Sequence, residues 1–165
     1  MKIRIGNGID VHSLEKNIPL IIGGISIPFS KGSQGHSDGD VLFHSIVDAI
    51  LGALCLGDIG THFPDTEDSN KDLDSRIFLR YAADLIFSNE YVLGNADITV
   101  ITEAPNLAPH KVSIRECLAS DLSANLDQIN VKATTAERQG FIVAERVLRV
   151  TLWLSWRLDN LVDFF

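Results

Sequence analysis

Asp10 and His12 stand two apart in the stretch GIDVHSL, and a third potential ligand, His44, sits in the segment VLFHSIVDAILGALC. In an extended chain a spacing of two puts both side chains on one face. A carboxylate beside an imidazole makes a poor core and a good start on a metal site. Two imidazoles and one carboxylate supply three protein ligands and leave a fourth position open, which is the layout of a catalytic zinc rather than a structural one. Asp48 follows His44 by four residues on the same helical face. It reads either as a partner that orients a ligand or as an ordinary solvated or capping carboxylate.

Three further clusters carry polar chemistry. His36 and Ser37 lie in the Gly-rich stretch SKGSQGHSDGD, where a helix begins. Helix N-terminal amides favour an anion there, although a plain cap with a solvated histidine has the same sequence. The stretch GDIGTHFPDTE offers Asp58, His62, Asp65 and Glu67, suited to hydroxyl recognition, to a second metal, or to an acidic surface loop. The stretch VKATTAE offers Lys132, Thr134, Thr135 and Glu137. Hydroxyls beside a lysine and a glutamate suit a phosphate with a hard, oxygen-seeking cation, or simply an exposed strand end.

These groups need elements to hold them. KIRIG alternates Ile3 and Ile5 with Lys2 and Arg4 and predicts a strand over 2–7. A second strand is expected over 20–28, with Gly23-Gly24 as a turn or bulge. Ser37 is the expected N-cap of the next helix, with Asp38 and Asp40 in its first turn. That helix runs to Gly57, with Val41, Ile46, Ala49, Ile50, Ala53 and Leu54 turned to the core. A long polar loop follows, of the kind that is usually functional. Helical period returns over 75–89, a strand over 96–102, a helix over 109–124 with Pro109 near its start, and a short strand at INVKATT. The sum is an α/β (α+β) chain with a small mixed sheet covered by helices on one face. Its expected topology is ferredoxin-like.

The 165 residues favour one domain, spanning 1–165. Fourteen Lys and Arg against twenty-two Asp and Glu give a net charge of −8. That argues against nucleic acid or an anionic membrane as a partner. An anionic small substrate stays possible, because a bound cation reverses the local field. Two cysteines, Cys55 and Cys117, in no metal or redox spacing fit a reducing cytoplasm. Gly6, Asn7, Gly8 and Asp10 interrupt any N-terminal apolar stretch, so no signal peptide is read. The apolar runs are also too short to span a membrane.

Taken in order, GIDVHSL, HSDGDVLFHSIVDAILGALCLGDIGTHFPDT, DSR, EAPNLAPH and INVKATTAERQGF resemble the 2-C-methyl-D-erythritol 2,4-cyclodiphosphate synthase family over about residues 2–141. The resemblance implies conversion of 4-diphosphocytidyl-2-C-methyl-D-erythritol 2-phosphate to the cyclic diphosphate with release of CMP, in non-mevalonate isoprenoid biosynthesis. It implies zinc on Asp10, His12 and His44, and magnesium or manganese on Glu137. His36 and Thr135 would orient or stabilise the transition state. Ser37, Asp58, Phe63, Pro64, Asp65, Thr66 and Glu67 would meet the methylerythritol arm, and Val11, Ile59, Gly60 and Phe141 would also bind substrate. The cytidine and phosphate pocket would come from Thr102, Glu103, Ala104, Pro105, Asn106, Leu107 and Ala108, with Thr134 and Thr135, and Lys132 and Ala136 would also bind substrate. The resemblance further implies a cytoplasmic, bacterial homotrimer with active sites between subunits. A zinc-dependent phosphohydrolase and a non-catalytic trimer that binds isoprenoid diphosphates are the competing readings.

The resemblance stops after Phe141. Ala144 stands where the family has an arginine that, with Phe141, lines a cavity on the three-fold axis. The segment 142–165 still alternates: Leu148, Val150, Leu152, Leu154, Trp156 and Leu158 against Arg149, Thr151, Ser155 and Arg157. This predicts a final strand, either naturally divergent or read in a shifted frame that the encoding DNA would reveal.

Overall fold

The computed structural model describes residues 2–64, 66, 67, 70, 73–137, 139 and 147–158. The strands are β1 (Ile3–Lys16), β2 (Leu20–Ile22), β3 (Ile25–Ile27), β4 (Lys31–Ser33), β5 (Tyr91–Ile101), β6 (Ile129–Thr134) and β7 (Val147–Leu158). The helices are α1 (Val41–Leu54), α2 (Ile59–His62), α3 (Ser75–Ser88) and α4 (Lys111–Asp121). Five strands form one mixed sheet in the order β4-β1-β7-β5-β6, and β2 pairs with β3 in a separate hairpin.

The apolar alternation of the final segment has a direct structural outcome. β7 lies at the centre of the sheet, antiparallel to β1 on one side and to β5 on the other. Leu148, Val150, Leu152, Leu154 and Trp156 are buried, all on one face. On that same face Leu93, Ala96, Ile98 and Val100 of β5 and Ile129 and Val131 of β6 join a core completed by α1, α3 and α4. The opposite face leaves Ile3, Ile5, Ile9, Val11 and Trp153 exposed. Helices on one face is therefore the observed arrangement.

The ferredoxin-like topology is not. That topology runs β-α-β-β-α-β. Here β5 and β6 are parallel neighbours, Ala96 opposite Ile129 through Ile101 opposite Thr134. A parallel pair needs a crossover, since a tight hairpin can join only antiparallel strands. α4 supplies it, and the last two strands come consecutively.

β1 runs to Lys16 rather than ending near residue 7. Gly6 and Gly8 look like strand breakers in sequence, yet both serve a close approach. A Cβ on Gly6 would sit 1.9 Å from the Ala49 carbonyl oxygen, and one on Gly8 would sit 1.8 Å from that of Ser45. Bare backbone at these two positions lets α1 lie directly on β1. α1 itself buries ten of its fourteen residues.

Its N-cap is Asp40, not Ser37, and neither Asp38 nor Asp40 lies in its first turn. Asp40 is fully buried, and its carboxylate accepts from Leu42 and Phe43 of α1 and from Gly23 and Gly24 in the β2–β3 turn. Gly23 and Gly24 both have positive φ, as that turn requires. One side chain thus ties the helix start to the hairpin. Burial pushes its carboxyl up from the ordinary carboxylate range, against the pull of the bonds from Gly24, Gly23 and Phe43.

Smaller departures have equally local causes. β5 begins at Tyr91, five residues before the expected start, and ends at Ile101. α4 spans 111–121 rather than 109–124, because Pro109 sits in a short 3-10 turn, Ala108–His110, that leads into it. The 20–28 segment is a hairpin of two short strands about the Gly pair.

Candidate metal centre

The even positions of β1 face the helices, so Gly6 and Gly8 bring α1 down onto the strand just before Asp10 and His12 appear on the same face. His44, on the first turns of α1, meets them. His12 Nε2 lies 3.0 Å from Asp10 Oδ2, His44 Nδ1 lies 3.2 Å from the same oxygen, and the two ring nitrogens are 3.4 Å apart. Among the described residues this is the one group of three such side chains whose ligand atoms lie within 4.8 Å of one another.

The spacing fits one ion. Zinc bonds of about 2.0–2.1 Å in a tetrahedron set ligand–ligand edges of about 3.3 Å. The observed edges bracket that value. Two ring nitrogens and a carboxylate oxygen facing one another across 3.0–3.4 Å could hold one divalent cation in place of the hydrogen bonds between them. The electrostatics agree. Burial alone would raise the Asp10 carboxyl, but the hydrogen bonds from His12 and His44 outweigh it and hold the group well below the usual carboxylate range. Burial would lower His12, and its bond to Asp10 reverses that and raises it.

The three ligands line a cavity of about 470 Å³. Val11, His36, Ser37, Ile59, Gly60 and Phe63, all named from sequence, also line it. Ser13, Gln34, Gly35, Asn70 and Phe78 also line it, and sequence reading had not singled them out. Asn70 had a signal of sorts, a polar residue in the long loop, where its Nδ2 donates to the Pro64 carbonyl at 3.1 Å. Phe78 had none beyond helical period. It packs at a tilt against Phe63, 4.5 Å between ring centroids, closing the apolar side of the cavity.

Asp48 lines the cavity too, but its hydrogen bond goes to the backbone rather than to His44. Its Oδ1 accepts from the Ile59 N–H at 2.8 Å, and burial pushes its carboxyl up. It anchors α2, the short helix inside the long polar loop. Asp58 is the N-cap of α2, accepting from the Thr61 N–H and hydroxyl at 2.9 and 2.7 Å. Those bonds lower its carboxyl. Thr66 and Glu67 are exposed beyond α2. Asp65 and Phe141 lie outside the described residues.

The other expected site residues gather elsewhere. The Ala136 N–H donates to Glu103 at 2.9 Å, the Thr102 N–H to the Thr134 carbonyl at 3.1 Å, and the Thr135 hydroxyl to Glu137 at 2.6 Å. Thr102 also holds the Ala104 carbonyl, and Asn106 accepts from the Ala108 N–H. Pro105 follows a cis peptide, and Leu107 is buried beneath. The two groups share one end of the sheet. Asp10 pairs with Val150, which pairs with Val100 of β5, so about two strand spacings, roughly 10 Å, separate the β1 and β5 backbones there. Lys132 is turned to Asp97, 2.6 Å away, on the exposed face of the sheet.

A mixed five-stranded sheet with a candidate His-His-Asp metal centre at one end defines an α/β fold with known kin. The chain belongs to the YgbB family, whose match runs over residues 3–154. A relative from Shewanella denitrificans named 2-C-methyl-D-erythritol 2,4-cyclodiphosphate synthase is 54% identical over 141 residues, 86% of this chain and 88% of its own. One of the same name from Shewanella loihica is 53% identical over the same share. Among solved structures, a 2C-methyl-D-erythritol-2,4-cyclodiphosphate synthase superposes with a TM-score of 0.86 at 34% identity, covering 93% of this chain and 100% of that one. A CDP complex of the Plasmodium falciparum protein gives 0.84 at 37% identity, covering 96% and 97%. The bifunctional IspDF of Campylobacter jejuni gives 0.90 at 40% identity, covering 95% of this chain, which spans only 42% of that longer one.

Proposed function

We propose that this protein converts 4-diphosphocytidyl-2-C-methyl-D-erythritol 2-phosphate to 2-C-methyl-D-erythritol 2,4-cyclodiphosphate, with release of CMP. The observation that carries the reading is the convergence of Asp10, His12 and His44, with edges of 3.0–3.4 Å, on the wall of a cavity large enough for a small phosphorylated substrate. The names of the close relatives and the CDP bound in a related structure support the substrate class.

The reaction needs no protein nucleophile. An oxygen of the substrate's own 2-phosphate attacks the β-phosphorus, one P–O bond forms, and the bond to the CMP oxygen breaks. Catalysis then rests on positioning and charge neutralisation. Asp10, His12 and His44 would hold zinc, and Glu137 would ligate magnesium or manganese. Bound there, such ions neutralise phosphate oxygens and stabilise charge on the leaving group. His36 and Ser37, on the cavity wall, orient the reacting arm, and Ile59, Gly60 and Phe63 enclose it. Thr135, bonded to Glu137, and the 102–108 turn, tied to Ala136 through Glu103, form the cytidine side.

The active unit is a homotrimer of single-domain chains, with the cytidine side of each site supplied by a neighbour. Two observations support it. The 102–108 and 134–137 residues do not line the metal cavity of their own chain, and the sheet face bearing Ile3, Ile5, Ile9 and Trp153 is exposed. The setting is cytoplasmic. No helix among the described residues is long and apolar enough to cross a membrane, and both cysteines are free thiols. Incubation of the metal-loaded protein with the cytidine diphosphate substrate tests the reading. CMP together with a cyclic diphosphate supports it. Inorganic phosphate without ring formation would indicate a hydrolase instead, and binding without turnover a non-catalytic trimer.

A further inference from the structure

His44 presents Nδ1 to Asp10 and His12, and its other ring nitrogen faces a part-buried polar chain. His44 Nε2 lies 2.9 Å from Ser75 Oγ and 2.9 Å from Ser37 Oγ, and the two hydroxyls are 3.0 Å apart. Ser75, the first residue of α3, is fully buried, and its Oγ makes a short bond to Asp38 Oδ1. Asp38 is itself fixed. Its Oδ1 accepts from the Asp40 N–H at 3.1 Å, and its own N–H donates to the Leu73 carbonyl at 3.1 Å. We infer that Ser75 and Asp38 are positioning residues that hold the His44 ring and its tautomer, turning the Nδ1 lone pair onto the metal position.

The direction of the chain follows from what each group can do. An ionised carboxylate only accepts hydrogen bonds. Ser75 must therefore give its single proton to Asp38, which leaves its oxygen as an acceptor toward both Ser37 and His44. Nε2 is then a protonated ring nitrogen, and Nδ1 offers its lone pair once a metal ion takes the place of its hydrogen bond to Asp10. Ligating histidines generally owe their tautomer and orientation to such an outer partner. Here the carboxylate acts through an intervening serine, and the serine comes from a different helix. The start of α3 is thereby coupled to the ligand on α1, and Ser37 of the substrate cavity shares the same chain. This also gives a role to the DSR motif, Asp74 to Arg76, which no other part of the site uses.

The inference rests on the metal reading above, and the test separates the two. Zinc affinity is measured by chelator competition for the wild type, Ser75→Ala, Asp38→Ala, Asp38→Asn and Ser45→Ala, and the His44 ring N–H is followed by NMR in the zinc-loaded proteins. Ser45 is as buried as Ser75 and also bears a hydroxyl, but its bond goes to the Leu42 carbonyl of its own helix. Loss of the outer partner typically weakens metal binding by about 10–100-fold. Ser75→Ala and Asp38→Ala should each fall in that range and lose the exchange-protected ring N–H signal. Asp38→Asn, whose amide oxygen can stand where Oδ1 stands, should restore most of the affinity, and Ser45→Ala should bind as the wild type does. Unchanged affinity in both Ser75→Ala and Asp38→Ala overturns the inference, as does an equal loss in Ser45→Ala. A wild type that takes up no zinc overturns the metal reading itself. If Ser75→Ala does not fold, the pair of Asp38 variants decides.

Discussion

Gly8→Ala should damage the metal centre although residue 8 touches no ligand. The added Cβ would stand 1.8 Å from the Ser45 carbonyl oxygen and 2.7 Å from its carbon, where ordinary contact begins at 3.4 Å. Both partners are backbone, so no side chain can swing aside. α1 has to retreat from β1 by about 3.4 − 1.8 = 1.6 Å at Ser45. His44 is the adjacent residue and travels with it. Its Nδ1 separations of 3.2 Å from Asp10 and 3.4 Å from His12 would open toward 4.8–5.0 Å if the motion lay along them. Two donors bonded to one zinc at about 2.1 Å each can be no more than about 4.2 Å apart. The ion would lose a ligand before the core came apart. Overpacking of this kind costs about 1–3 kcal/mol, and a chain of this size loses roughly 2–4 °C of melting temperature per kcal/mol. The assay is zinc content after equilibrium dialysis, paired with a thermal melt of the metal-stripped protein. A variant that keeps one tightly held zinc per chain and an unchanged melting temperature would refute the reasoning.

Other perturbations probe different parts of the account. His44→Ala should abolish zinc binding and CMP release while circular dichroism stays near that of the wild type. Asp40→Ala removes the acceptor for four backbone N–H groups and should cost at least about 2 kcal/mol in a urea titration, the upper end for a lost cap. For pH, His12 of the metal-free protein is raised above its ordinary 6.5, so its proton stabilises the fold fully below 6.5 and that contribution is lost as pH rises through the raised value. Metal-stripped protein should therefore melt lower at pH 8 than at pH 6, while zinc affinity, which needs the neutral ring, should rise over the same interval. Adding zinc at 100 times its dissociation constant should raise stability by about 2.7 kcal/mol, and a chelator should reverse it.

The candidate metal triad was legible because its signal is local. A period of two in β1 and one histidine on an amphipathic helix need only meet, and the Gly6 and Gly8 contacts explain why they do. Those same glycines hid the length of β1, since in isolation Gly, Asn and Asp read as breakers, and only the helix lying against them shows their use. The cap moved from Ser37 to Asp40 for a related reason. Sequence favours either residue, and the choice is made by the β2–β3 turn, a tertiary partner that no local pattern reveals. The polarity of Ser75 and Asp38 toward His44 likewise needs three segments brought together. The final segment shows the converse. The family resemblance read from motifs stopped before it, yet the alternation of Leu148, Val150, Leu152, Leu154 and Trp156 with a mostly polar opposite face was enough to mark it as a strand, and the family match runs through it to residue 154. Strand order was the part least legible, because parallel pairing of β5 with β6 depends on where the α4 crossover returns the chain.

Anomalous diffraction at the zinc absorption edge, from crystals of zinc-loaded protein, tests the central claim most directly. The account predicts one strong peak per chain within bonding distance of Asp10 Oδ2, His12 Nε2 and His44 Nδ1. No peak there, or a peak held by other residues, would contradict it.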